Sequence, residues 1–350
     1  MFLIDTSRDG KPIYDPIVNQ SLDNYLINDL KLPGHGLIMY INDPSVIVGV
    51  NQNIFAEVNV PYLRENNVAL VRRSSGGGAV YHDRGNLIFE NIVVGETDDG
   101  AKWGDYKVFA DPVLDALHAL GANDAELRGR SDLVVNDHKF TGMTMVKSGD
   151  AFAAGGTLMF DMDLDAASQA LHPVESRING KWVKSNRSNI ENIKSHLAPE
   201  YQGLTPDEFR EQLLLKLFNV SQLDDIETYH LTDQDWAVID QRLAEKYNTN
   251  DWNYGENPGF NRYRFVQLEQ GDMGLNMMVE GSLITKVAVY GTALDEKIAH
   301  KLEGQLTGTH VSLPDLRDKL SKRWLKKGHW RGRHCGISSG TFNRKPVKEV

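Results

Sequence analysis

The sequence predicts an α+β fold: a large domain built on a mixed sheet, followed by a small C-terminal α+β domain. Three observations carry this. Short β-rich runs with hairpin-length connections crowd the first 160 residues. Capped helices occupy the middle of the chain. An Asn-, Gly- and Pro-rich stretch, NTNDWNYGENPGFN, then precedes a strand-strand-strand-helix-helix pattern. The expected organisation is therefore a domain over 1–247, a linker over 248–261, a small domain over 262–322 and a basic tail over 323–350.

In chain order, strands are expected at 37–41, 46–50, 68–73, 79–82, 87–94, 132–135 and 157–160, with one helix near 106–120 among them. Within 87–94, Leu87, Phe89, Asn91 and Val93 alternate with Ile88, Glu90 and Ile92, and both sets are largely apolar, which describes a strand buried on both faces. The connections are too short for regular βαβ crossovers, so a mixed sheet is expected rather than a doubly wound one. Thr205-Pro206-Asp207-Glu208 is a capping box with Pro at the first helical position, opening a helix to about Asn219. Thr232 starts another, to about Tyr247. Beyond the linker come strands at 262–269, 274–280 and 283–290, then helices at 295–306 and 312–323, the last capped by Ser312. A unit of roughly 80 residues is large enough to fold separately.

Composition narrows the class. Hydrophobic content of 41% and charged content of 25% are those of a soluble globular protein. The start, MFLIDTSRDGK, matches neither a signal nor a transit peptide, and no apolar run reaches membrane-spanning length. The single cysteine, Cys335, excludes an intrachain disulfide and any multi-cysteine metal site, and the expected setting is the cytoplasm. Charge is uneven. Ser321 to Val350 holds nine Lys or Arg against one Glu, a net of +8, so the other 320 residues carry −18 of the total −10. An acidic body argues against nucleic acid as a partner, and the tail is expected to be a solvated charge run.

The most informative segment is VRRSSGGGAVYHDRGNLIFENIVV, 71–94. Three consecutive glycines give up side-chain packing and add unfolded-state entropy, and close approach of backbone to a ligand is the usual reason. Free amide N–H groups there, with Arg72 and Arg73 just before them, suit phosphate or carboxylate.

With those residues in view, the chain resembles the lipoate–protein ligases, whose fold is the cofactor-ligase fold shared with biotin–protein ligases. The resemblance rests on RRSSGGGAVYHDRGN (72–86), reinforced by VGVNQNIFAEVN (48–59), GRSDLVVNDHKFTG (129–142), GGTLMFDMDL (155–164), SNRSNIENI (185–193), WNYG and AVYG. It extends to about residue 322 and leaves the basic tail uncovered. It implies a two-step reaction: lipoate (or octanoate) and Mg-ATP give the acyl-adenylate and pyrophosphate, and a lysine ε-amine of an acceptor domain then displaces AMP. The implied acceptors are lipoyl domains of 2-oxoacid dehydrogenase E2 subunits and the glycine-cleavage H protein. A monomer is implied, with no membrane partner.

The resemblance also assigns residues. Lys139, in DHKFTG, corresponds to the family's catalytic lysine, where a compact ammonium offsets charge at the carboxylate and α-phosphate. Arg73, Ser75, Gly76, Gly77, Gly78, Val80 and His82 line the acyl-adenylate, with Gly156 and Thr157 from GGTLMF. A guanidinium supplies fixed charged donors to phosphate, and Val80 supplies an apolar wall. Asn86 holds the turn or contacts the nucleotide. Asp132 lies near the adenylate, through the nucleotide or a metal, with Mg2+ otherwise carried on the phosphates. Ser185, Arg187 and Asn192 belong to a segment that closes over the nucleotide and excludes water.

Three departures stand beside these positions. TGMTM follows Lys139 where SGNAQ or SGSAY is common, Gly155 replaces a histidine, and Ser131 stands where Asn is usual. The site is expected to work, with its acyl preference open to change. Two rival functions follow from the same residues. An ATP-independent octanoyl or lipoyl transferase needs a cysteine thiolate, and Cys335 lies outside the matched region. A non-catalytic binding module would have no use for Lys139. A P-loop kinase is excluded because no GxxxxGK[ST] string occurs.

Overall fold

The structure, a computed structural model, describes residues 1–173, 183–185, 189–255, 257–268, 271–290, 294 and 296–312. The basic tail, Cys335, Arg187 and the helix expected at 312–323 lie outside the described residues, apart from Ser312 itself. The chain divides into two compact units, Met1–Phe260 and Asn261–Val350.

The strands of the first unit are β1 (Phe2–Asp5), β2 (Gly34–Tyr40), β3 (Ser45–Val48), β4 (Ala69–Arg72), β5 (Val80–His82), β6 (Asn86–Val94), β7 (Glu126–Arg128), β8 (Asp132–Val135), β9 (His138–Ser148), β10 (Ala151–Met159) and β11 (Thr228–His230). Its helices are α1 (Pro16–Tyr25), α2 (Ile54–Glu57), α3 (Val60–Glu65), α4 (Lys107–Ala119), α5 (Leu164–Ala170), α6 (Pro206–Phe218) and α7 (Asp233–Arg242). An eight-stranded sheet runs β11-β1-β2-β6-β10-β9-β8-β7. It is parallel across β11-β1-β2 and antiparallel from β2 onward, the mixed sheet that the short connections predict. A small sheet, β4-β3-β5, carries the glycine turn between β4 and β5.

β6 is the spine, buried along almost its whole length. On one face Leu87, Phe89 and Val93 pack against Phe109 and Leu117 of α4 and Phe209 and Leu213 of α6. On the other, Ile88 and Ile92 pack with Leu22 of α1 and Ile239 of α7. Each such side chain removed from water contributes about 2 kcal/mol, which is why this strand needs no polar face.

The first 160 residues hold more helix than expected. Asp15 accepts hydrogen bonds from the N–H groups of Ile17 and Val18, and Pro16 opens α1. The apolar period of α1 is masked because Asn19, Gln20 and Ser21 are buried and bonded internally, Asn19 Nδ2 donating to Asn42 Oδ1 at 2.8 Å and Ser21 Oγ to Ile239 O at 2.8 Å. The strand expected at 157–160 begins instead at Ala151, because pairing on both sides stabilises an Ala- and Gly-rich run of poor intrinsic β preference. The capping box of α6 forms between Thr205 and Glu208.

The stretch read as a linker folds largely onto the first unit. Asn253 is buried, accepting from Arg72 N at 2.9 Å and donating to Tyr247 O at 2.7 Å. Trp252 Nε1 donates to Arg72 O at 2.6 Å. Asn253 and Trp252 together take up the N–H and C=O of Arg72 at the free edge of β4, which is how a turn-rich composition becomes fixed structure. The second unit pairs β12 (Arg262–Leu268), β13 (Gly271–Glu280) and β14 (Leu283–Tyr290) as an antiparallel sheet, against which α8 (Glu296–Leu306) packs Leu302 and Leu306 onto Ile284, Val287 and Val289.

Candidate active site

A cavity of about 1210 Å³ opens in the first unit, between the α1 face of the large sheet and the glycine turn of the small one. It is large enough for a drug-sized ligand with room to spare. Its floor is set by strand register. Asp132, Gly142, Thr157, Ile88 and Tyr40 are directly paired across β8, β9, β10, β6 and β2, and therefore share one face. Two residues along, Thr144, Gly155, Glu90 and Ile38 form the next row of the same face.

Lys139 reaches onto the first row. Its Nζ lies 2.8 Å from Asp132 Oδ1. A Cβ on Gly142 would lie 2.6 Å from that Nζ, so the ammonium occupies the volume a side chain at 142 would take. The Lys139 backbone is pinned on its other side, its N–H donating to Asn189 O at 2.8 Å and its C=O accepting from Glu191 N at 3.1 Å. The segment holding Asn192 is thereby tied to the lysine strand. Asn192 itself bonds the backbone of Met162 through both its amide atoms.

The glycine turn is held from within. Arg73 Nη2 donates to Gly76 O at 2.7 Å and Gly78 O at 2.8 Å, Nε to Gly76 O at 3.2 Å, and Nη1 to Ile47 O at 3.0 Å. With those carbonyls turned toward the guanidinium, the Gly77 and Gly78 N–H groups donate to no described residue. Burial pushes the Arg73 guanidinium down to about 10, which leaves it charged at neutral pH. Gly77 has φ +100°, a conformation only glycine adopts freely, and a Cβ there would lie 2.8 Å from Arg73 Nη2. Ser185 lies across the turn: its Oγ accepts from Ala79 N at 2.9 Å and Gln52 Nε2 at 3.1 Å, and its N–H donates to Glu57 Oε2 at 3.0 Å.

His82 is buried and neutral. Burial, and then the Arg73 charge, lower its pKa to about 3. Asn42 Oδ1 accepts from Asn19, so Asn42 Nδ2 donates to His82 Nδ1 at 3.1 Å. The His82 proton therefore sits on Nε2 and is given to Thr157 Oγ1 at 2.7 Å. The Thr157 hydroxyl hydrogen is left to point toward the cavity that Thr157 lines.

The structure brings Lys139, Asp132, Arg73, Ser75, Gly77, Gly78, Val80, His82, Gly156, Thr157 and Ser185 to the wall of this one cavity. It does not bring Asn86 or Gly76 there. Asn86 is fully buried and holds the turn, accepting from Asp83 N at 2.9 Å and donating to Met162 Sδ at 3.1 Å. Gly76 is exposed and contributes its carbonyl to Arg73. Arg72, paired with Arg73 in the sequence reading, does not line the cavity. It is fully buried and donates to Gly49 O at 3.0 Å, Gln52 O at 2.8 Å and Asn257 Oδ1 at 3.1 Å. Strand alternation is the signal that separates the two arginines. Gln52, Glu57 and Asn42 went unmarked, because each acts through a residue distant in sequence.

Residues 15–218 match the family model of the lipoyl protein ligase A/B catalytic domain, and 257–329 that of the bacterial lipoate protein ligase C-terminus. The lipoate-protein ligase LplJ of Bacillus subtilis is 36% identical over 318 residues, 91% of this chain and 94% of that protein. The lipoate–protein ligase of Streptococcus pyogenes is 35% identical over 92% of this chain and 94% of its own length. The chain belongs to the lipoate–protein ligase family. Solved structures agree on the fold of this lipoate–protein ligase. Plasmodium falciparum LipL1 in complex with lipoate superposes with a TM-score of 0.54 at 22% identity, covering 91% of this chain and 93% of that one. Lipoate-protein ligase A bound with ATP gives 0.55 at 23% identity, covering 73% and 98%. The cavity described above is thus the candidate active site of an enzyme that forms amide bonds. Among the described residues no helix is long and apolar enough to cross a membrane.

Proposed function

We propose that this ligase activates lipoate or octanoate with ATP in the cavity of the first unit and transfers the acyl group to a lysine of a lipoyl-carrying acceptor. The observation that carries this reading is the Lys139 ammonium, held 2.8 Å from Asp132 in the space Gly142 vacates and beside the cavity floor. In the first step a carboxylate oxygen of the acid attacks the α-phosphorus of ATP, the bond to the pyrophosphate oxygen breaks, and pyrophosphate leaves. A fixed ammonium at that point offsets the charge gathering on the equatorial oxygens. The N–H groups of Gly77 and Gly78, which donate to no described residue, present further donors to an anion. Thr157, with its oxygen already accepting from neutral His82, has its hydroxyl hydrogen left to donate into the cavity. In the second step the ε-amine of the acceptor lysine attacks the acyl carbon, the anhydride C–O bond breaks, and AMP leaves.

Mg2+ would supply charge neutralisation on the ATP phosphates. Asp132 is the carboxylate placed to meet it, on the cavity wall beside Lys139. The described residues include no group of three or more His, Cys, Asp or Glu arranged to hold a metal, so the donor set fits an ion carried mainly by phosphate. Lipoyl domains of 2-oxoacid dehydrogenase E2 subunits and the glycine-cleavage H protein are the acceptors proposed. One of the similar solved structures is described as a bipartite lipoate protein ligase of Thermoplasma acidophilum and its E2 lipoyl domain. We place the enzyme in the cytoplasm as a monomer, and its domains at 1–247 and 262–322 with a basic tail beyond.

The decisive experiment is ATP–pyrophosphate exchange with and without lipoate, followed by intact mass of an acceptor domain. Exchange only with acid present, and a lipoyl mass increment on the acceptor, are expected. Exchange without acid, or lipoyl transfer that needs no ATP, would overturn the proposal. Cys335→Ser should leave both readouts unchanged.

A further inference from the structure

The second row of the cavity floor holds a feature that acyl activation does not use. Glu90, on β6, projects from the same face as Ile88 and lines the cavity. It sits one row beyond Thr157, about 12 Å from Gly142 by strand and residue spacing. An acid with its carboxylate at Lys139 and its tail laid along this floor would bring its far end to Glu90. The Glu90 carboxyl makes no hydrogen bond to any described residue. Its β10 neighbour is Gly155, which places no side chain beside it.

Facing it from α1 is Asp23, which also lines the cavity. Asp23 Oδ2 accepts from Tyr40 Oη at 2.7 Å and Gln20 Nε2 at 2.9 Å. Asp23 Oδ1 is shut off from water and has no partner among the described residues. Burial raises both above the ordinary carboxylate range, against the lowering effect of the Tyr40 and Gln20 bonds at Asp23 and with the Asp23 charge adding to the rise at Glu90. A hydrocarbon tail lying here would cover the Glu90 carboxyl and leave its oxygens unmet, beside an Asp23 Oδ1 that is already without a partner among the described residues.

We propose that Glu90 and Asp23 make the inner end of the acyl slot selective for a tail that carries a neutral hydrogen-bond donor, a hydroxyl or a thiol, over one that carries none. The inference rests on the ligase reading only for the direction of the acyl chain. Two pairs of acids test the chemistry and separate the donor types. Octanoate and 8-hydroxyoctanoate differ by one hydroxyl, and lipoate and dihydrolipoate differ by reduction of the disulfide to two thiols. Sites built around a substrate hydroxyl reject the analogue that lacks it far more strongly than apolar slots reject an added one.

Binding is measured by calorimetry on the full chain without ATP, and turnover by pyrophosphate exchange. At least about tenfold tighter binding of the donor-bearing member of either pair is expected. Glu90→Leu should erase that ratio and tighten octanoate binding. Asp23→Asn, whose amide oxygen can still accept from Tyr40 and Gln20, should reduce it partially and guards against misfolding of the first variant. Octanoate bound as tightly as its hydroxy analogue and lipoate as tightly as dihydrolipoate, with both ratios unmoved in the two variants, would overturn the proposal. Selective binding without exchange would leave it standing and remove the ligase reading instead.

Discussion

Lys139 Nζ and Asp132 Oδ1 stand 2.8 Å apart although β8 and β9 do not pair those two residues; Asp132 is opposite Gly142, and Lys139 opposite Val134. The lysine bends across its own strand, over the glycine, to reach a carboxylate three positions further on. Lys139→Ala should therefore lower adenylate formation by at least about a hundredfold, the usual effect of losing one charged group that meets the transition state. Both partners are partly exposed, so melting should shift by no more than a few degrees. Pyrophosphate exchange and thermal unfolding check the two halves together. Near-normal exchange would remove Lys139 from the chemistry.

Gly142 tests the positioning of that ammonium without touching its charge. An added Cβ would lie 2.6 Å from Lys139 Nζ and 2.7 Å from its Cε. Those atoms are the far end of a flexible side chain and can yield, so Gly142→Ala should fold. The displaced ammonium should lower kcat for activation by about ten- to a hundredfold, with the KM for ATP less affected. Circular dichroism and steady-state exchange separate this from simple unfolding.

His82 gives a pH dependence whose sign is fixed. In the unfolded chain it binds a proton below about 6.5, and in the fold only below about 3, because burial and Arg73 disfavour the cation. Between those values the unfolded state holds more protons, so stability rises with pH across the window and falls as pH drops through it. The total effect is on the order of a few kcal/mol. His82→Gln should flatten the acid limb of a plot of urea midpoint against pH between about 6.5 and 3. An unchanged limb would show that His82 is not held neutral.

How much of this was legible in the sequence depends on how local each signal is. The glycine turn, His82 and Lys139 stand in short strings whose composition already demands a ligand or a charge. β6 announces itself through apolar residues on both faces. α1 does not, since Asn19 and Ser21 spend their polarity on Asn42 and Ile239, far along the chain. β9 was missed because Lys139, Gly142 and Thr144 carry site geometry rather than strand propensity. Glu90, inside a strand read as buried, and Asp23, on a helix the composition hides, are brought into one cavity only by register and helix placement. Arg72 and Arg73 are adjacent in sequence and opposite in role, which only the pleat decides.

Arg72 yields the largest expected stability effect. Fully buried, it donates to the carbonyls of Gly49, Gln52 and Trp252 and to Asn257 Oδ1, joining the β4 edge to the loop after β3 and to the turn at Asp251–Gly255. Arg72→Met keeps much of the volume but leaves those acceptors unmet in a dry site. Each costs about 1 to 3 kcal/mol when orphaned, so a loss of roughly 3 kcal/mol or more is expected, with part recovered by relaxation. The glycine turn begins four residues later in the chain and leans on Gly49, where a Cβ would lie 2.4 Å from Gly77 O. Acid binding should weaken along with stability. Arg73→Met should behave differently, weakening ligand binding more than it lowers the urea midpoint, because three of its four bonds go to carbonyls of the glycine turn itself and one to Ile47 O. Equal stability losses in the two variants would show that the turn, and not the β4 edge, is what both arginines support.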